Sequence, residues 1–356
     1  MPEPESTKYT LIWQSKTPRT REWIHEILDP YLCDEIFDTK REIVVDNAIL
    51  VDDFIYARDP AYYRKFRGKN AFLIHLQDEF FEIGLDIYSN FRGVLRNHWA
   101  SVFNPRYVKC WLYGYPIGAR RNRVPVPATQ RQYVWSFLGQ CSTATRPDVP
   151  RELSRVEPHF FFATDRMPGW EIFNPALGVS KRFTVDQCAE VLAQSSFAPA
   201  PMGNIHAECY REYEALEAGC IPILERRLTL DYYRMIWGDH PVPTVRSWAA
   251  ARRLIADLLK HPDRMDDLQR QCIEWWDEYK LKYSREVGEF FAERSADTEP
   301  VGELVTGWGK MPGWRVVELM RHHDARAAYR RVKRQVSRAM KTGAWRVAHR
   351  TSQKPK

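Results

Sequence analysis

Apolar runs of a few residues, bounded by polar turns, alternate along most of the chain with stretches whose apolar positions recur every three or four residues. The runs at 9–13, within 43–51, at 71–75, 94–99 and 107–113 read as strands, with helices predicted over 19–28 and 61–67. The polar, proline-marked stretch 119–130, with Arg120, Arg121, Arg123, Pro125 and Pro127, reads as a linker. A second series follows it. Strands are predicted at 133–138, closed by Gly139, and at 159–163, 196–200 and 220–224, with helices over 186–194 and 207–218. The second helix ends at Gly219, where a left-handed C-cap is required. Long helices over 248–260 and 264–284 complete the series. Such alternation predicts an α/β protein with two Rossmann-like domains facing a cleft, 1–127 and 128–295, followed by a basic helical tail, 296–356.

The stretch 195–224 carries most of the candidate chemistry. A strand ends in a Pro-Met-Gly-Asn loop and a helix begins soon after, so free helix N–H groups can face an anion lying over Gly203 and Asn204. Glu208, Arg211 and Glu214 are spaced i, i+3, i+6 along one helix edge. An arginine there can fork onto a diphosphate, and a glutamate one turn later can accept the hydroxyls of a ribose. Spacing alone also fits an ordinary amphipathic helix with solvent-side charges.

This stretch resembles the donor-binding region of exostosin-type glycosyltransferases, whose pattern is a Ser-x-Phe strand, a Pro-x-Gly loop, an Arg-x-x-Glu-Ala helix and Gly-Cys-Ile/Val-Pro-Val. It is more similar still to the ribitol xylosyltransferase branch, through Glu208, Cys209, Tyr210, Arg211, Tyr213, Glu214 and Ala215. Trp135 to Gln140 resembles the first strand and glycine turn of that family's second domain, which adds Ser136 and Gly139 to the donor-side candidates. His75 to Glu79 resembles its acidic motif after a strand.

The resemblance implies a GT-B fold, a nucleoside diphosphate sugar bound mainly by the C-terminal domain, a glycan, glycolipid or polyol-phosphate acceptor bound by the N-terminal domain, inversion, and no obligatory metal. UDP is the first expectation for the nucleotide, and xylose for the sugar by the nearest branch. The chain contains no Asp-x-Asp pair for a metal. The nearest approach, Asp52-Asp53, puts adjacent carboxylates on opposite faces of a strand. An inverting transfer needs a base for the acceptor hydroxyl. Asp78 and Glu79 are the candidates, because they follow a buried strand at the sheet edge that presents ligands. His75 reads as a core residue. Arg96 and His98 either line the cleft or decorate an ordinary strand, and Trp275-Trp276 reads as packing rather than a sugar platform.

With 356 residues, 44% hydrophobic and 28% charged, the chain is excluded from the disordered, collagen-like and disulfide-stapled classes. Its seven scattered cysteines contain no C-x-x-C pair and read as reduced. No run approaches 18 apolar residues and the first ten are polar, so a cytoplasmic location is expected, or the Golgi lumen if an anchor precedes this sequence. The net charge of +7 is uneven: 313–356 holds 13 Lys/Arg against Glu318 and Asp324, a net +11, which leaves the remainder at −4. A basic appendage on an acidic body argues against a nucleic-acid enzyme. A stripe of Tyr329, Val332, Val336 and Met340 among its arginines suits peripheral contact with an anionic membrane. The rival to an enzyme is a non-catalytic carbohydrate- or membrane-binding protein on the same fold.

Overall fold

The structure is a computed structural model that describes residues 7–53, 60–79, 81, 85–142, 145–164, 183–203, 206–227, 230–297, 299, 301–311 and 313–322. The first unit is built on a six-stranded parallel sheet of β1 (Tyr9–Trp13), β2 (Leu32–Phe37), β3 (Ala48–Asp52), β4 (Ala71–His75), β5 (Gly93–Arg96) and β6 (Val108–Cys110), in the order β2-β1-β3-β4-β5-β6. β3 and β4 are buried throughout, which is why they read as unbroken apolar runs: a parallel sheet is covered on both faces. β2 has no counterpart in the sequence reading. It is an edge strand paired only with β1, and the charged pair Asp34 and Glu35 stands in its middle, Asp34 exposed and Glu35 half-buried in polar contacts, so it carries no apolar signal. Helices α1 (Arg21–Leu28) and α2 (Pro60–Arg64) flank this sheet.

The second unit holds a five-stranded parallel sheet, ordered β11-β10-β9-β7-β8, of β7 (Tyr133–Gly139), β8 (His159–Ala163), β9 (Ser195–Ala200), β10 (Ile221–Glu225) and β11 (Thr244–Val245). Its helices are α3 (Asp148–Leu153), α4 (Val185–Ala193), α5 (Tyr210–Glu217), α6 (Tyr232–Trp237) and α7 (Trp248–Leu258). α5 starts three residues later than the sequence predicts. Cys209 is extended there, and the Glu212 carboxylate reaches back to its N–H in a capping box that fixes the helix start.

The long helix α8 (Pro262–Ala296) belongs to both units. Its first half packs Cys272 and Trp276 into the second, where the Trp276 N–H donates to Glu217 at 2.7 Å. Its second half lies on the first sheet, with Phe291 against Tyr9 and Phe72 at ring separations of 5.4 and 4.5 Å. The sequence predicts its end near 284, whereas it runs on through Gly288 to Ala296. That glycine is required, since a Cβ there would overlap the ring of Tyr31. Trp275, half-buried, stacks on Tyr279 at 5.1 Å, so both tryptophans serve packing.

Residues 301–322 do not behave as a free tail. Val305 bridges to Phe103, and α9 (Trp314–His322) inserts Trp314 between Phe81 and Phe103, 5.6 and 5.7 Å away. The stripe from Tyr329 to Met340 lies outside the described residues. The linker arginines are fastened rather than free: Arg120 pairs with Glu26, Arg121 with Asp277 and Arg123 with Glu190. Beside them Lys280 joins Glu26 of α1 to Glu217 of α5 at 3.0 and 2.8 Å, an ion cluster that spans the two units. All seven cysteines are free thiols, and no helix among the described residues is long and apolar enough to cross a membrane.

Candidate functional site

The C-terminal ends of both sheets face one cavity of about 460 Å³. From the first unit, the chain turns sharply after β4 and β5 with Gln77 and His98 in the left-handed region, at φ 62° and 50°. Neither is glycine, and such backbone is held only where surrounding contacts enforce it. The Gln77 N–H donates to Asn97 Oδ1 at 2.9 Å, tying the two turns together. From the second unit come the end of β7, the loops after β7 and β9, and the first turn of α5.

Glu79, His98, Ser136, Gly203, Glu208, Arg211 and Glu214 all line this cavity. Asp78 and Arg96 do not. They pair with each other at 3.4 Å, both essentially without solvent contact, and the Arg96 guanidinium is sandwiched between Phe81 and Phe103, each 4.9 Å from its centre. Arg96 also donates to the Asp78 carbonyl, so the pair fixes the turn that presents Glu79. His75 is a core residue hydrogen-bonded to Tyr88. Asn204 lies outside the described residues.

Arg211 stands over the Phe137 ring at 4.6 Å and donates to the Leu138 carbonyl at 3.4 Å. Its Nε is buried with no hydrogen-bond partner among the described residues, an uncompensated donor in a concave site. Gly139, at φ 140°, makes room for it: a Cβ there would overlap Arg211 Nη2. The Ser136 hydroxyl is likewise buried without a partner. Half-buried Glu214, one turn on, has its carboxyl raised by burial against the pull of Arg211.

Two further arginines enter the cavity that the sequence reading did not single out. Arg146 is buried and held by the carbonyls of Met202 at 3.0 Å and Gln140 at 3.2 Å, and burial followed by the nearby Arg211 charge lowers its pKa. Arg19 lines the opposite wall, just before α1. Arg146 sits in an irregular stretch, and Arg19, read from sequence as the start of the first helix, lies in the turn before it, so only the fold reveals their place in the cavity. Three cations in one concave site create a strong preference for an anion.

The two units meet through Glu208. Its carboxylate accepts from the Tyr113 N–H at 2.7 Å, from the hydroxyls of Tyr213 and Tyr232, and from the His98 backbone. Burial pushes it up to about 7 despite these donors. His98, His206 and Glu208 offer ligand atoms within 4.8 Å of one another. Four donors already occupy the Glu208 oxygens, and His206 Nδ1 accepts the Glu208 N–H at 3.3 Å. The trio lies in a buried polar seam between the two units, with the Glu208 oxygens already engaged by these donors. Tyr113 and Tyr210 close the seam, ring edge to face at 4.4 Å, and Glu79 Oε1 accepts the His206 N–H at 3.0 Å.

Contiguous with the cavity through Leu138 and Cys188 is a pocket of about 330 Å³ lined by Gly139, Phe162, Thr164 and Phe183. Its two phenylalanine rings lie 4.7 Å apart. The rings meet edge to face and form an apolar wall against which a planar ring can pack beside the anion site.

Two parallel Rossmann-like units closing on one anion-seeking cleft form the GT-B architecture of glycosyltransferases. More particularly, residues 121–293 match the family model of the RXYLT1 C-terminal domain, so the resemblance to the exostosin-related ribitol xylosyltransferases holds. No curated protein sequence matches the chain. Among solved structures, an α1,3-fucosyltransferase is similar at 10% identity and a TM-score of 0.48, over 86% of this chain and 95% of that one. T4 phage BGT in complex with UDP-glucose is similar at 12% identity and a TM-score of 0.49, over 82% and 100%. Anabaena HepE in complex with UDP gives 11% and 0.47, over 80% and 100%.

Proposed function

We propose that the protein transfers a sugar from a nucleoside diphosphate sugar to a hydroxyl of a glycan or polyol acceptor, with inversion and without an obligatory metal. UDP is the first candidate nucleotide and xylose the first candidate sugar, by the branch resembled. The observation that carries this reading is the convergence of Arg211, Arg146 and Arg19 with Glu214 in one interdomain cavity. The arginines and the first turn of α5 take the diphosphate, Glu214 the ribose hydroxyls, and the apolar pocket lined by Phe162 and Phe183 the base.

The acceptor proton goes to Glu79, the only one of the two expected carboxylates that lines the cavity. The acceptor oxygen attacks the anomeric carbon as the bond to the diphosphate breaks. The departing electron pair stays on the diphosphate, where fixed guanidinium groups stabilise it in place of a metal. The basic segment 313–356 is suited to hold the enzyme at an anionic membrane surface.

Calorimetry of the metal-free protein against UDP, GDP, CMP and their sugar conjugates tests the reading. Saturable binding of one nucleotide that disappears in Arg211→Ala is the expected result. A folded protein that binds none of them overturns it, and binding without turnover favours the non-catalytic rival.

A further inference from the structure

The start of the C-terminal segment clasps the loop that follows β5. The Thr306 N–H donates to the Val102 carbonyl at 2.7 Å, the Asn104 N–H to the Leu304 carbonyl at 2.9 Å, and the Asn104 side-chain amide to the Glu303 carbonyl at 2.8 Å. Farther on, Arg321 of α9 pairs with buried Glu318 at 3.0 Å and donates to the Ser101 hydroxyl at 3.3 Å. A solvated tail needs none of these contacts. Together they fix where α9 begins, and that is the place of Trp314.

Trp314 is buried against Phe81 and Phe103, whose rings lie 6.2 Å apart and flank the Arg96 guanidinium. Phe81 carries the strain of this region. Its φ of 53° is left-handed, which a bulky side chain adopts only where packing enforces it. Its N–H closes a turn on the Asp78 carbonyl at 3.2 Å, and Glu79 lies inside that turn. Arg96 donates to the same carbonyl, and Arg96, Phe103 and Trp314 all pack on the Phe81 ring. Trp314 itself lines no part of the cavity that Glu79 enters, so its effect there is transmitted through Phe81. With the indole gone, the Phe81 ring loses one wall and its backbone is free to relax toward ordinary φ. Glu79, two residues earlier, turns with that backbone.

We propose that Trp314 is a positioning residue for the transfer: by holding Phe81 in its left-handed conformation it aims Glu79 at the acceptor hydroxyl. The inference rests on the transfer reading, with Glu79 as the base, and adds to it a part of the machinery that the cleft itself does not contain. It makes the first turn of α9 a working part of the acceptor-side unit rather than an appendage to it.

The test follows UDP release by the full chain from UDP-xylose and UDP-glucose, with ribitol phosphate as acceptor, beside calorimetry of UDP binding. Trp314→Ala should lower kcat roughly ten- to a hundredfold, the cost of a misplaced reacting group, with UDP affinity and the KM of the nucleotide sugar within about twofold of wild type. Trp314→Phe, which keeps a flat ring on Phe81, should recover most of the loss. In a Glu79→Gln background Trp314→Ala should cost nothing further, because the group it aims is already gone. A tryptophan that only stabilises the fold would cost the same in both backgrounds, and that result overturns the inference, as does an unchanged kcat in Trp314→Ala. Where Trp314→Ala melts too low to assay, Trp314→Leu, which keeps apolar volume without the flat face, takes its place under the same criteria. Full activity in Glu79→Gln overturns the base assignment and this inference while transfer stands. Wild type that releases UDP from neither sugar overturns the transfer reading as well.

Discussion

The two units solve the same problem, presenting polar groups at the C-terminal edge of a parallel sheet, in opposite ways. The second unit draws most of its cavity groups from one continuous stretch, where β9, a loop and α5 bring Gly203, Glu208, Arg211 and Glu214 together. The first draws single residues from the ends of separate strands, and each is aimed by a buried support: Glu79 by the Asp78–Arg96 pair, His98 by a left-handed turn. A binding surface for an extended, invariant ligand part can be written on one segment. A surface for the variable reactant is assembled from many.

If this division of labour is correct, Glu79→Gln should lower kcat by roughly 10²- to 10⁴-fold, the usual worth of a general base, with donor affinity within a factor of two. Concerted loss of UDP binding in a calorimeter would break the comparison at its centre. Next in size, Arg96→Met removes the cationic partner of buried Asp78 and should cost about 3–5 kcal/mol of stability in a denaturant titration. A melt unchanged from wild type would show that the support is dispensable.

In the second unit, Gly139→Ala should displace the Arg211 guanidinium and weaken donor binding roughly tenfold or more, since a charged hydrogen bond is worth about 1.5–3 kcal/mol, and a side chain at φ 140° should also lower the melting temperature. Identical donor affinity would separate Arg211 from the donor. A last test concerns pH. Burial raises Glu208 to about 7 and Glu212 to about 8 from an ordinary 4.5. Both bind protons more tightly folded than unfolded, so their contribution to stability is fullest below 4.5 and is lost as pH rises toward 8. Melting temperatures measured from pH 5 to 9 should decline over that window, and less so in Glu212→Gln.

Buried strands and the loop-and-helix form of 195–224 were legible because their physical requirements are local: continuous apolar runs, a loop before a helix, a glycine after it. Edge strand β2, with Asp34 and Glu35 at its centre, needs only one partner and leaves no such trace. Asp78 shows the limit at the site. Its position after β4 promised a cleft residue, but one step along a turn decides between the core and the cavity, and Gln77 at positive φ set that direction. Arg146 and Arg19 were illegible for another reason, being brought to the anion site by loops whose only regularity is their destination.

The helix shared by both units fixes how the molecule can be taken apart. At 1.5 Å per residue its 35 residues make a rod of roughly 50 Å, and Phe290 and Phe291 near its far end roof the sheet face around Tyr9 and Phe72. Cleaving the polypeptide in the linker therefore frees no self-sufficient N-terminal fragment. The severed half loses its lid and shows a bare aromatic surface to water, and the remainder keeps a greasy rod with nothing to lie on. Evolutionary exchange of one half for another would have to carry the end of that rod with it.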